Sequence, residues 1–286
     1  MQVDSIMTNI LFFGNCQIYA IKQILNLGTS YTQKLVECFS TNVDKFTFTR
    51  FIQTSNIIIT QPISDTYRDV DYLSTRYILQ HVNKFCRVFI VDSCHFDYYY
   101  FDLTYKTSNN RILEYPSHYH YNGLIDCYKE NLPHEHFLIN YVNNESLKTS
   151  EQLDAIANNS LGELRRRNVE NKNKYTHQNI TFITTADFIQ EHYKETLLFY
   201  SMNHPTKYLF HFICDQLLHH LSIKNTMNYD LDPLDATRCI LYKCIQNNVH
   251  FDCNHFSPKL NDNNNINDII LLYYTDYTKN NYINLL

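Results

Sequence analysis

Three side chains in this sequence carry the clearest chemical potential: a thiol, an imidazole and an amide. Cys16 stands in Gly14-Asn15-Cys16-Gln17, directly after the apolar run Ile10-Leu11-Phe12-Phe13. His204 stands in Ser201-Met202-Asn203-His204-Pro205, and Gln61 in Ile59-Thr60-Gln61-Pro62. A thiol at the amino end of a helix has its thiolate favoured by the helix dipole. A histidine in a loop near such a thiol can act as its base. The pair therefore points to nucleophilic acyl chemistry, with Cys16 attacking and His204 moving the proton. Gln61 and Asn15 are candidate donors to an oxyanion or to a substrate hydroxyl. Each residue also has a plainer reading. Cys16 could cap a turn as a small buried residue, His204 could be satisfied by backbone near a helix start, and the amides could brace turns. No Asp stands three residues before His204, where Ser201 occurs, so a carboxylate orienting the ring is not evident.

The elements that must position these groups read as alternating strands and helices. Residues 8–13 are nearly all apolar, as in a strand buried on both faces of a parallel sheet. A helix follows at once, with Ile18, Ile21, Ile24 and Leu25 on one stripe and Gly28 where a C-terminal cap belongs. The chain has only 4 glycines, so Gly14 at a strand end is read as serving a tight turn. Strands are expected at 35–39, 56–60, 87–91 and 181–183. Helices are expected at 71–82, 149–171 with Ser150 as N-cap, 187–194 and 206–221, with Pro205 near the last one's first turn. Pro62 stops the third strand and places Gln61 at its carboxyl end, level with Cys16 if the strands are parallel. This order predicts an α/β fold, a three-layer α/β/α sandwich with a mainly parallel sheet. Residues 94–145, dense in Tyr, His and Phe, read as an irregular insertion over the ligand edge. Residues 261–267 read as a linker, and the apolar tail near 269–274 as a strand or helix packing back. The expected organisation is one domain over 1–225 and an extension over 226–286 packed on it.

Composition narrows the function classes. A formal net charge of -5 argues against a general nucleic-acid surface, which needs a basic excess. The one basic run, Arg165-Arg166-Arg167, reads as a solvated helix face. No apolar run approaches the roughly 20 residues that span a bilayer. The odd count of 9 cysteines, the absence of a CxxC pair and an acidic start without a visible leader favour free thiols in a reducing, cytoplasmic setting. Cys239, Cys244, His250, Cys253 and His255 are zinc-ligand types, but their spacing fits no standard pattern, so no metal is expected. His118, His120, His134 and His136 show less pattern still. With glycines only at 14, 28, 123 and 162, neither GxGxxG nor a Walker A loop can be written. The 24 tyrosines accompany many Asn, Ile and Lys residues, as an AT-rich coding sequence would give, so a single Tyr carries little functional weight.

Taken together, Phe13-Gly14-Asn15-Cys16-Gln17, Ile59-Thr60-Gln61-Pro62 and Tyr200-Ser201-Met202-Asn203-His204-Pro205-Thr206 resemble the WcbI-type family of polysaccharide-biosynthesis acetyltransferases. The resemblance spans roughly residues 8–222. It implies a flavodoxin-like sandwich related to the SGNH/GDSL esterases, with GNCQ where those enzymes carry GDS. It implies coenzyme A (acetyl-coenzyme A) as acyl carrier and a sugar, nucleotide-sugar or glycan as acceptor. Carried over by position, Cys16 and His204 are the catalytic pair, with Gly14, Asn15, Gln17, Gln61 and Asn203 lining the pocket. Arg68 and Arg76 are candidate phosphate contacts by location. Two alternatives share these residues: an esterase acting on acylated glycans, and a carbohydrate-binding protein that uses the Tyr-rich middle as a platform.

Overall fold

The computed structural model of the chain describes residues 7–40, 43–108, 111–113, 115–224, 227–254, 256–260, 263 and 265–280. These residues fall into two compact units. One comprises 1–94, 162–190 and 205–234, the other 95–161, 191–204 and 235–286.

The first unit is built on five parallel strands: β1 (Thr8–Gly14), β2 (Tyr31–Glu37), β3 (Ile57–Thr60), β4 (Arg87–Val91) and β5 (Ile180–Ile183). Their spatial order is β2-β1-β3-β4-β5, the doubly wound order of flavodoxin-like sheets. The helices that join and cover them are α1 (Cys16–Ile24), α2 (Lys45–Thr54), α3 (Thr75–His81), the part of the long α4 (Ser150–Lys174) from Gly162 onwards, α5 (Ala186–His192) and α6 (Lys207–Leu221). Alternation sorts the two faces. Leu11, Phe13, Ile58, Val88 and Ile90 form one core with Phe48 and Ile52 of α2 and Ile78 of α3. On the other face α1 packs against α6, and the ring of Phe89 meets His220 of α6. The predicted α/β/α class is the observed one.

Several boundaries differ, each for a physical reason. β2 runs over Tyr31–Glu37 rather than 35–39 because it is an edge strand: only Val36 is buried, so Thr32, Gln33 and Lys34 read as polar loop. Helix α2 has no counterpart among the expected elements; its start is fixed by Asp44, whose carboxylate accepts from Thr47 N at 2.9 Å. Helix α1 ends at Ile24, four residues before Gly28, so that glycine is not its cap. Thr149, not Ser150, caps α4: Thr149 Oγ1 accepts from Gln152 N at 3.3 Å and Gln152 Oε1 from Thr149 N at 3.0 Å, a reciprocal capping box. Pro205 precedes α6 and its N-cap Thr206. The apolar tail is the helix Ile266–Asn280.

The second unit has little regular sheet. Its core is aromatic, with Tyr98, Tyr99, Tyr273, Tyr277, Phe96, Phe137 and Phe199 all under 2 % exposed. Hydroxyls in this core donate to backbone carbonyls, among them Tyr273 to Tyr119 O (2.7 Å), Tyr128 to Tyr277 O (2.8 Å) and Tyr100 to Phe199 O (3.2 Å).

Candidate active site

In the doubly wound order the direction in which strands are added reverses between β1 and β3, which opens a crevice at the carboxyl ends of those parallel strands. The turn Gly14-Asn15-Cys16-Gln17 lies there, with Gln61 beside it. Gly14 is required by close approach rather than by backbone twist, because no described glycine has a positive φ. A Cβ on Gly14 would lie 2.5 Å from Ile18 Cγ1 and 2.7 Å from Gln61 Oε1. The tight-turn reading of this glycine is therefore corrected. The turn needs the missing side chain so that α1 can sit against the Gln61 amide.

That amide is fully buried and belongs to a closed network. Asn15 N donates to Gln61 Oε1 at 3.0 Å, and Gln61 Nε2 donates to Gln17 Oε1 at 3.0 Å. Gln17, also buried, donates from Nε2 to Cys94 O at 2.9 Å and accepts from Cys94 N at 3.0 Å. Asn15 is the N-cap of α1, its side chain accepting from Gln17 N at 2.9 Å. Three strand ends, those of β1, β3 and β4, are thereby tied together by two glutamines. A buried amide left unpaired costs about 1–3 kcal/mol, so the network fixes the turn firmly.

Cys16 is the first residue of α1 and half-buried. The N–H groups of Cys16 and Gln17 favour its thiolate, as expected for a helix start, but burial outweighs them. The thiol is pushed up to about 11, with the neighbouring Cys38 thiol and Glu37 adding to the rise. The expected lowering is thus reversed, and at neutral pH only about one thiol in ten thousand is ionised.

Cys38 is the group that sequence reasoning missed. Register pairs Gly14 with Glu37, and Cys38 N donates to Gly14 O at 2.8 Å, so the residue after β2 must lie beside the turn. Its thiol is buried and held above its ordinary value, while the Tyr67 hydroxyl and the Arg68 guanidinium favour its charged form. Arg68 has a left-handed φ of 53° and lies over the rings of Phe39 and Tyr67. It therefore stands near the turn, with no carboxylate partner among the described residues. Arg76 is placed differently: its charge is answered by Asp65 at 3.1 Å.

Further along the same sheet edge, after β4, Asp92 accepts from Thr185 N (2.8 Å), Thr185 Oγ1 (3.1 Å) and Asn168 Nδ2 (3.2 Å). Burial still holds its carboxyl above the usual range.

The sequence profile of the family described as polysaccharide biosynthesis enzyme WcbI matches residues 9–226, most of the chain. The chain belongs to the WcbI family. A solved structure of WcbI resembles it with a TM-score of 0.81 at 19% identity, over 96% of this chain and 90% of that one. That protein is described as a novel polysaccharide biosynthesis enzyme, in its native form without a disulfide bond between coenzyme A and one of its cysteines. At this identity the likeness speaks for the fold. No curated protein matches the sequence.

The other residues expected from the WcbI resemblance, Asn203 and His204, belong to the second unit. His204 follows the short strand Phe199–Ser201, and its ring meets the Tyr119 ring edge-on at 5.4 Å. Its Nδ1 is shut off from solvent with no hydrogen-bond partner among the described residues. Burial, with a smaller contribution from His118, lowers its pKa to about 4, so the ring is neutral at pH 7. Asn203 is held by two tyrosines: Tyr119 Oη donates to its Oδ1 at 2.6 Å, and its Nδ2 donates to Tyr105 Oη at 2.8 Å. Among the described residues no group of three or more His, Cys, Asp or Glu could hold a metal; His255 lies outside them. No described helix is long and apolar enough to cross a membrane.

Proposed function

We propose that this WcbI-family chain transfers an acyl group, acetyl in the first instance, from coenzyme A to a hydroxyl or amine of a sugar, nucleotide-sugar or glycan. The observation that carries the reading is a half-buried thiol on the first turn of α1, at the switch point of a WcbI-family sheet. The description of WcbI, which names coenzyme A and a cysteine of that protein in stating that no disulfide joins them in that form, supports the choice of carrier. The backbone N–H of Cys16 at the start of α1 suits a developing oxyanion, and Arg68 supplies positive charge for the carrier's phosphates. Asn15, Gln17 and Gln61 hold the turn in place.

Cys16 and His204 are assigned as the reacting pair on chemical grounds. On the covalent route Cys16 Sγ attacks the thioester carbonyl, its proton passes to His204, and coenzyme A leaves as the thiol after taking that proton. The acceptor hydroxyl then attacks the Cys16 thioester, His204 takes its proton, and Cys16 leaves as the thiol. On the direct route His204 activates the acceptor and Cys16 shapes the pocket. A base whose conjugate acid lies near 4 does not ionise a thiol near 11 in a standing equilibrium. Proton transfer must therefore accompany bond formation on either route.

The test is acetyl-coenzyme A consumption with sugar acceptors by Cys16→Ala and His204→Ala. A loss of about 100-fold or more is expected for His204→Ala, the usual worth of general base catalysis. Full activity in the cysteine variant removes the covalent route. Full activity in both removes the site assignment.

A further inference from the structure

Within the second unit, the helix Ile266–Asn280 borders a cleft of about 420 Å³ lined by Tyr115, Leu272, Thr275, Asp276, Lys279 and Asn280. Asp276 is only 6 % exposed, which is rare for a carboxylate. Its Oδ1 accepts from Asn280 Nδ2 at 2.7 Å, whereas its Oδ2 is buried without any donor among the described residues. Burial holds this carboxyl above its ordinary value, against the pull of Asn280 and Lys279. A buried acceptor without a partner calls for a ligand or water that supplies the donor. At the same cleft Tyr115 is 53 % exposed, and Thr275 and Lys279 add donors.

These features together select a ligand class. The open acceptor calls for hydroxyl or amide donors. The exposed ring calls for a flat apolar face. A carboxylate with a single lysine beside it disfavours a phosphate or nucleotide, and one carboxylate is too few for a metal ion. We propose that this cleft binds a sugar, whose C–H face lies on the Tyr115 ring and whose hydroxyl donates to the Asp276 carboxylate. The inference deepens the sugar-acceptor reading but does not depend on transfer chemistry. Sugar binding here without acyl transfer leaves this site standing, and turnover of acetyl-coenzyme A without sugar binding here removes this site alone.

Saturation-transfer NMR on the full chain with the methyl glycosides of glucose, galactose, mannose and N-acetylglucosamine tests it. At least one glycoside is expected to receive saturation through its ring protons. Tyr115→Ala and Asp276→Asn are each expected to weaken that binding about tenfold or more, the worth of one good contact. Melting curves establish that the variants are folded, and Tyr115→Ala, at an exposed ring, keeps the test valid if Asp276→Asn fails to fold. No saturation transfer to any of the four glycosides overturns the proposal, as does wild-type binding by either folded variant.

Discussion

The two units solve the same problem, the pairing of buried backbone groups, in opposite ways. In the first, β1 to β5 satisfy one another through parallel ladders, and the core mixes aliphatic and β-branched residues with the rings of Phe13, Phe48 and Tyr77. At the strand ends, buried Gln17 and Gln61 tie the turn to Cys94. In the second, short and irregular segments leave carbonyls unpaired, and tyrosine hydroxyls reach them one at a time. Tyr99 Oη shares its one proton between Tyr193 O at 2.5 Å and Thr196 O at 3.0 Å. A ladder makes position follow from strand register, whereas a set of tyrosines makes it depend on many separate contacts. Composition bias therefore does not exhaust the role of the tyrosines: in this unit they stand in for sheet.

The largest effect should come where the ladder unit has no slack. Gly14→Ala forces a methyl onto Ile18 and the Gln61 amide, and a loss of about 3 kcal/mol is expected in urea unfolding, at the upper end for overpacking. Little change would mean that the turn is softer than its network implies. Gln61→Ala comes next, at about 2 kcal/mol, because it strands Asn15 N and takes from Gln17 Oε1 one of its two donors, leaving Cys94 N. Tyr99→Phe in the aromatic unit should cost about 1 kcal/mol, since two carbonyls lose the one proton they share and Leu198 N loses an acceptor. Tyr77→Phe in the ladder unit should cost less, because that hydroxyl meets only the side chain of Thr49, at 2.7 Å. Equal costs for the two tyrosines would break the contrast drawn here.

A pH series sharpens it further. His120, in the aromatic unit, bonds Tyr277 Oη at 2.9 Å through Nδ1 and is lowered from 6.5 to about 4, mainly by burial. The unfolded chain therefore takes up its proton first. Its contribution to stability is full above about pH 6.5 and is lost as pH falls towards about 4. The stability gap between wild type and His120→Gln should narrow over that window in urea unfolding, and a constant gap would refute the assignment. The smallest change, and of opposite sign, is Gly162→Ala. No atom lies within 4 Å of the added Cβ in the middle of α4, so a gain of up to about 1 kcal/mol is expected in thermal unfolding.

The ladder unit was largely legible in sequence because burial on both faces writes itself as continuous apolar runs, as in Ile10 to Phe13 and Ile57 to Ile59. Its edge was not: β2 alternates Thr, Gln and Lys, and α2 carries three threonines among ten residues. Gly14, Asn15, Cys16, Gln17 and Gln61 could be placed at one sheet edge from strand ends alone. Cys38 could have joined them had the register of β2 been read correctly. The environment of His204 could not, since Tyr105, Tyr119 and His118 lie far from it in sequence.

The sequence by itself determined the class of fold, the helix start that carries Cys16 and the strand end that carries Gln61, because local periodicity, a proline and a capping residue act over a few positions. Tertiary structure alone decided the ionisation of these groups. The helix dipole that favours the Cys16 thiolate is local, but the burial that overrides it is assembled from neighbours contributed by other strands. The same holds for the two glutamines. Their residue types suggested donors for a ligand, and only the fold showed them bonded to each other and to Cys94, because hydrogen-bond partners are chosen in space and not along the chain.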